Sequence, residues 1–180
     1  MREEAIEKFL DEKSAWIEKV VLQNSLKLAA NDDVLEYEKI YLYGEKLPLI
    51  VGDINAVRDD GVYVKDINAV AKLYKKTFSE KFVERVTAFA ELTRLTPNGI
   101  YVRDYKGRWG CCDASNNLTF NYKIFMLPPD LGDYIIVHEL CHTLCPNHSE
   151  AFWRLVGEFV PDYKERRKAL KNFDFITSLY

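Results

Sequence analysis

Apolar side chains at Ile6, Phe9, Leu10, Trp16, Ile17, Val20 and Val21 recur at helical spacing over residues 4–22, with Lys13 breaking the stripe. From Glu38 to Lys65 the pattern changes to short β-type runs: Ile40–Tyr43, Leu47–Val51, Ala56–Arg58 and Val62–Val64. Gly44 marks the first turn and Asp60-Gly61 is a hairpin signal, so these runs predict a small antiparallel sheet or meander. Helical spacing resumes at about Asp66 through Ile67, Val70, Ala71, Leu73 and Tyr74. A second helix is expected from about Ser79 through Leu92, ended by Thr96-Pro97-Asn98-Gly99. Ile100–Val102 and Leu118–Phe125 read as strands, with a turn at Lys106-Gly107 between them. Pro128-Pro129-Asp130 opens a helix whose first turns, Tyr134–Val137, are apolar throughout, and Pro146 stops it. Ser149 is placed to cap a helix carrying Phe152, Trp153, Val156 and Phe159. Pro161 opens a last helix from Asp162 to about Lys171.

Composition narrows the class. With 180 residues, 48% hydrophobic and 13% aromatic, the chain is a globular one able to bury a core without covalent staples. No internal repeat or low-complexity linker divides it, so a single domain over 1–180 is expected. Its helical and β-hairpin part would occupy 1–95 and a second part, which holds all three histidines, 96–180. The formal charge of −3 offers no general attraction for nucleic acid. No apolar stretch reaches the roughly 18 residues of a membrane span, and the charged start Met1-Arg2-Glu3-Glu4-Ala5 is no secretory signal. A cytoplasmic protein with reduced cysteines and no membrane partner is the expectation.

The chemistry is concentrated in one place. All three histidines fall in His138-Glu139-Leu140-Cys141-His142 and, after five intervening residues, His148. On a helix, residues four apart differ by about 40° in azimuth and about 6 Å in rise, so His138 and His142 can reach one ion. The turn at Pro146-Asn147 would bring His148 back to it. Three neutral imidazoles and an open position are the donor set of catalytic zinc, whereas structural zinc is closed by four protein ligands. Glu139, turned about 100° from His138, sits beside the ligand row and is the candidate general base. The reading is a Zn2+ hydrolase acting on a peptide or protein substrate through activated water. Tyr134 and Tyr163 are candidate oxyanion stabilisers, and Asn121 a candidate substrate contact. The third-histidine spacing equals that of the metzincins, but Cys145 replaces their glycine and no methionine follows Met126 to make a Met-turn.

Two other readings compete. Cys111, Cys112, Cys141 and Cys145 contain no C-x2-C knuckle, and small buried thiols are the plainer assignment. A non-catalytic, zinc-stabilised interaction module would need Cys145 or Cys112 as a fourth ligand. The basic run Lys164-Glu165-Arg166-Arg167-Lys168 is interleaved with acid and reads as a solvated helix face.

Arg108-Trp109-Gly110-Cys111-Cys112, Asn117-Leu118 through Asn121, Leu127-Pro128-Pro129, Asp133-Tyr134 and the His138–His148 block with Ser149, Phe152 and Trp153 resemble the YgjP-like metallopeptidase family. That family is similar to the WLM and SprT-like zincins. The likeness runs from Trp16-Ile17 to Arg166-Arg167. It implies a zincin-like α+β fold: N-terminal helices and a small antiparallel sheet packed on the HExxH helix, with a helical C-terminus. It also implies His138, His142 and His148 as ligands and Glu139 as base. By similarity to the DNA-linked relatives, a DNA-stimulated protease is an alternative. The family usually carries serine at the position of Cys111, and its members begin with strands ahead of the first helix. A smaller sheet, or a missing N-terminal segment, is therefore expected here. Leu118–Phe125 precedes the active-site helix as the zincin edge strand does, so it is a candidate for pairing with an extended peptide.

Overall fold

The first apolar stripe continues further than its spacing predicts. The computed structural model describes residues 2–180, with side chains from residue 5, and extends that stripe as α1 over Arg2–Ala29. No glycine or proline interrupts the span, so nothing ends the helix before the turn at Ala30-Asn31. A single turn, α2 (Asp32–Leu35), follows. These residues form one compact unit ending at Tyr37, and Glu38–Tyr180 form a second, which carries every candidate site residue.

The second unit begins with β1 (Lys39–Leu42), β2 (Glu45–Val51), β3 (Ala56–Arg58) and β4 (Gly61–Val64), in the spatial order β1-β2-β4-β3. β1 and β2 are antiparallel about Tyr43-Gly44. Gly44 has φ +88°, and a Cβ there would lie 2.8 Å from Pro128 Cγ, so only glycine fits that turn. β3 and β4 form the predicted hairpin, but β4 lies parallel to β2, with Leu49 opposite Val62. The expected antiparallel meander is thus a mixed sheet. The physical reason is burial: Val62 and Val64 are fully buried and take the interior position, leaving the short strand with exposed Arg58 at the edge.

The two helices expected around Ser79 are one, α3 (Ala69–Thr93). Thr77-Phe78-Ser79 holds no residue that breaks a helix, and the apolar face passes through it unbroken via Tyr74, Phe78 and Phe82. Arg94, in the left-handed region at φ 59°, ends the helix two residues ahead of the Thr96-Pro97 signal.

A second sheet contains β5 (Gly99–Arg103), β6 (Gly110–Cys112) and β7 (Asn117–Asn121) in the order β5-β7-β6. β7 is parallel to β5 and antiparallel to β6. β6 was not predicted, because Gly-Cys-Cys is short and has no β-type alternation. The predicted strand Leu118–Phe125 is cut at Asn121, where the side chain accepts a hydrogen bond from the Lys123 N–H and starts a 3-10 turn over Tyr122–Met126. Then come α4 (Pro129–His142), α5 (Glu150–Phe159) and α6 (Tyr163–Leu170), with a 3-10 turn over Asp174–Ser178.

The core gathers Tyr74, Phe120, Tyr122, Ile136, Leu140 and Phe152, all with essentially no exposed surface. α4 runs through it against β6, α3, α5 and α6. Its run Tyr134–Val137 is buried on every side, as its uniform apolarity requires. The α+β class stands, with two small mixed sheets in place of the antiparallel one. No helix among the described residues is long and apolar enough to cross a membrane.

Candidate metal centre

Proline starts α4 and a turn ends it. Pro129 occupies the first helical turn, where its missing N–H costs nothing, and the chain leaves the helix after His142 through a turn closed by the Cys145 N–H on the Cys141 carbonyl (2.9 Å). Ser149 caps α5 as predicted, its hydroxyl accepting the Phe152 N–H at 3.3 Å. Between them, residues 143–148 turn back on α4 and carry His148 to the other two histidines. One ligand atom from each of His138, His142 and His148 lies within 4.8 Å of the others. Among the described residues no cysteine or carboxylate joins this cluster.

The ring nitrogens are set for ligation. His142 Nδ1 is 3.0 Å from the carbonyl oxygen of Cys145, which can only accept, so Nδ1 carries the proton and Nε2 is left with a free lone pair. His138 Nε2 and His148 Nε2 face each other at 3.0 Å. Burial, then the neighbouring His142 and His148, push the His138 pKa down to about 3, so its ring is neutral. Burial lowers His142 as well, against the opposing effect of the Cys145 carbonyl. Two imidazole nitrogens converging at this distance form a donor set for a cation, and the set fits zinc's preference for nitrogen.

Aromatic packing fixes the rings. Phe152 lies centrally, with ring centroids 4.9, 4.4 and 4.9 Å from those of His138, His142 and His148. His148 stacks on Trp153 (5.5 Å, 20°), and Trp153 stacks in turn on Tyr163 (5.4 Å, 14°) under the Arg167 guanidinium. The phenylalanine and tryptophan that follow the third histidine therefore hold the three histidine rings.

Glu139 sits one residue along α4, 6% exposed, and its Oε2 is buried without a hydrogen-bond partner. Burial raises its pKa to about 8, opposed only by the charge of Arg108. Its carboxyl packs against β6 at Gly110, where a Cβ would come within 2.8 Å of Glu139 Cγ. Glycine is required there to make room for the glutamate. A cavity of about 150 Å³ opens beside it, lined by Trp109, Gly110, Tyr134, Ile135, His138, Glu139 and Leu170.

The other candidates divide. Tyr134 lines this cavity and meets His138 edge-on at 5.9 Å, with its pKa raised to about 12 by burial, so it keeps its proton. Tyr163 is the far member of the tryptophan stack. Asn121 does not face the site. It is fully buried, and its amide donates to the carbonyls of Tyr105 (2.8 Å) and Arg108 (2.9 Å), holding the loop that delivers Trp109-Gly110. All four cysteines are unpaired, and Cys141 is buried. Arg108, Gly110 and Leu170 were missed by sequence reasoning as site residues. The signal for Gly110, a glycine within the Arg108–Cys112 run, was present but had no geometric meaning until Glu139 was placed.

Residues 1–173 match the YgjP-like metallopeptidase domain. The chain belongs to that family. Among curated proteins none matches it. Among solved structures, it is similar to the crystal structure of the metallopeptidase zymogen of Pyrococcus abyssi abylysin, at 21% identity over 47% of this chain and 87% of that one, with a TM-score of 0.43. Membership of a metallopeptidase family implies a metal, and the histidine cluster is a place able to bind one.

Proposed function

We propose that this chain is a zinc-dependent peptidase that hydrolyses peptide bonds with metal-activated water, using His138, His142 and His148 as ligands and Glu139 as general base. The observation that carries the reading is the pairing of three convergent imidazoles with a buried carboxylate whose Oε2 has no partner. A zinc ion held there supplies Lewis acidity, lowering the pKa of water toward ~7 and polarising the scissile carbonyl.

The protein's own groups do the rest. Glu139 accepts the proton of the attacking water and returns it to the leaving amine. Its high pKa in the bare site suits proton return, and a neighbouring cation favours the carboxylate needed for proton acceptance. Tyr134, protonated and lining the same cavity, is the candidate donor to the developing oxyanion.

The substrate track is β6 and not β7. β7 is paired on both sides and has no free edge, which corrects the strand-addition expectation for Leu118–Phe125. β6 is the edge strand beside Glu139. The Asn121 N–H bonds the Trp109 carbonyl (2.7 Å) and the Asp113 N–H bonds the Asn117 carbonyl (3.0 Å). By antiparallel alternation, Gly110 and Cys112 turn their N–H and C=O groups outward. An extended peptide pairing with them would lie along the glutamate.

A structural zinc site would need a fourth protein ligand and no base. Neither Cys112 nor Cys145 joins the histidine cluster, which weighs for the catalytic reading. The test is Glu139→Gln assayed on a peptide library beside wild type. Retained zinc with turnover lowered by at least about a thousandfold is expected; full activity removes the assigned role.

A further inference from the structure

A second cavity, of about 410 Å³, shares no lining residue with the metal centre. Its volume falls in the range of roughly 300–1,000 Å³ typical of small-ligand sites. Phe78, Phe82 and Phe125 form its floor, and their rings interlock, with Phe125 5.4 Å from each of the other two. Tyr43 closes one side, edge-on to Phe78 at 5.6 Å. The turn that carries Tyr43 is tied to the same wall: the Tyr43 N–H bonds the Phe125 carbonyl (2.8 Å) and the Gly44 N–H bonds the Met126 carbonyl (3.1 Å). The cavity is therefore preformed, and a ligand pays little ordering cost on entry.

The rim is cationic. No acidic side chain lines the cavity, while Lys81 and Arg85, one helical turn apart on α3, both do. Arg85 is committed through Nε and Nη2 to the two oxygens of Asp133, each at 2.6 Å, which leaves Nη1 unused by that pair. Lys81 is exposed and has no carboxylate in ion-pair contact among the described residues. Partial burial raises the Tyr43 pKa, against the charge of Arg85, so its hydroxyl is a donor. An aromatic floor with one uncompensated ammonium and two further donors above it has the chemistry of a site for an apolar acid. A multiply charged phosphate would want more cations and less hydrocarbon.

We infer that this cavity binds small organic acids, taking an aromatic or branched apolar body onto Phe78, Phe82 and Phe125 and the carboxylate onto Lys81 and Tyr43. The site is independent of the peptidase reading and needs no metal. Its test is calorimetric titration of the full chain with phenylbutyrate and with the isosteric neutral amide, phenylbutyramide. One rim ion pair makes the acid bind about fivefold more tightly than the amide, a preference that fades at high salt. Lys81→Ala abolishes the preference and Lys81→Arg keeps it; Lys81 is exposed, so neither change disturbs packing. Gly132→Leu fills the cavity from its α4 wall, where an added Cβ meets only Ile124 at 3.9 Å, and removes binding of both probes. Circular dichroism confirms that each variant is folded. Equal affinity for acid and amide, binding unchanged in Lys81→Ala or in folded Gly132→Leu, or no saturable binding of either probe would each overturn the assignment.

Discussion

Glu139 and His138, neighbours on α4, are both held away from their ordinary ionisation by the same burial, in opposite directions along the pH scale. Glu139 is raised to about 8 and His138 lowered to about 3 in the metal-free protein. A raised carboxyl contributes stability that is present below its unfolded pKa and lost as pH climbs through the folded one. A lowered histidine contributes stability that is present above its unfolded pKa and lost as pH falls. The metal-free protein is therefore most stable near pH 5–6, between these two losses, and weakens toward pH 8 because Glu139 must ionise in a buried place. Glu139→Gln removes the alkaline loss alone. Thermal melts of chelator-treated protein will show the variant level with wild type near pH 5 and several degrees more stable at pH 8; parallel pH profiles for the two would reject the burial argument. Trp153 makes a different point at the same scale. It stacks on the ring of His148, the one candidate ligand that does not belong to α4, and its ring lies 5.8 Å from that of His138. Trp153→Ala should weaken zinc about tenfold in a competitive chelator titration, while Trp153→Phe keeps most of the affinity. An affinity unmoved by Trp153→Ala would leave the stack as packing only.

Among the elements, β6 shows how far sequence could reach. The ligand helix was legible because its signals are local: prolines at its start, an uninterrupted apolar run, and histidines at i and i+4. The cap at Ser149 was legible for the same reason. β6 was not, because three residues of Gly-Cys-Cys become a strand only when Phe120 and Thr119 lie opposite them, and that pairing is long-range. The parallel placement of β4 on β2 was hidden likewise, since alternation gives the faces of a strand but not its neighbours. Asn121 was misread for the same cause. A polar residue at a strand end near the motif invites a substrate role, yet its amide is spent on two carbonyls of the loop before β6. The outward groups of β6 yield a direct prediction. Cys112→Pro deletes an N–H that points away from β7, so the sheet's own ladder is spared. Peptide cleavage should fall, mainly through a KM raised about tenfold, with the melting temperature little changed; an unaltered KM would move the substrate off this edge.

At the scale of the molecule, the proposed metal would act as a tie within the unit Glu38–Tyr180. Two of the candidate ligands sit on α4, and the third, His148, ends the turn at residues 143–148, just ahead of α5. Without an ion, that turn is held by the bond from His142 to the Cys145 carbonyl and by the rings around Phe152 and Trp153. An ion that binds the folded state alone would stabilise it. Free zinc at a hundred times its dissociation constant contributes about 2.7 kcal/mol. For a unit of this size that is a rise on the order of 5–10 °C in melting temperature. Calorimetry of the same preparation before and after exhaustive chelation should show this rise, reversed by adding zinc back. His148→Ala should lose most of it at the same zinc concentration, because the remaining pair lies on one helix and closes no loop. If His148→Ala kept the full zinc-dependent rise, the ion would have to be held elsewhere, and the three-histidine centre would lose its place as the seat of the chemistry.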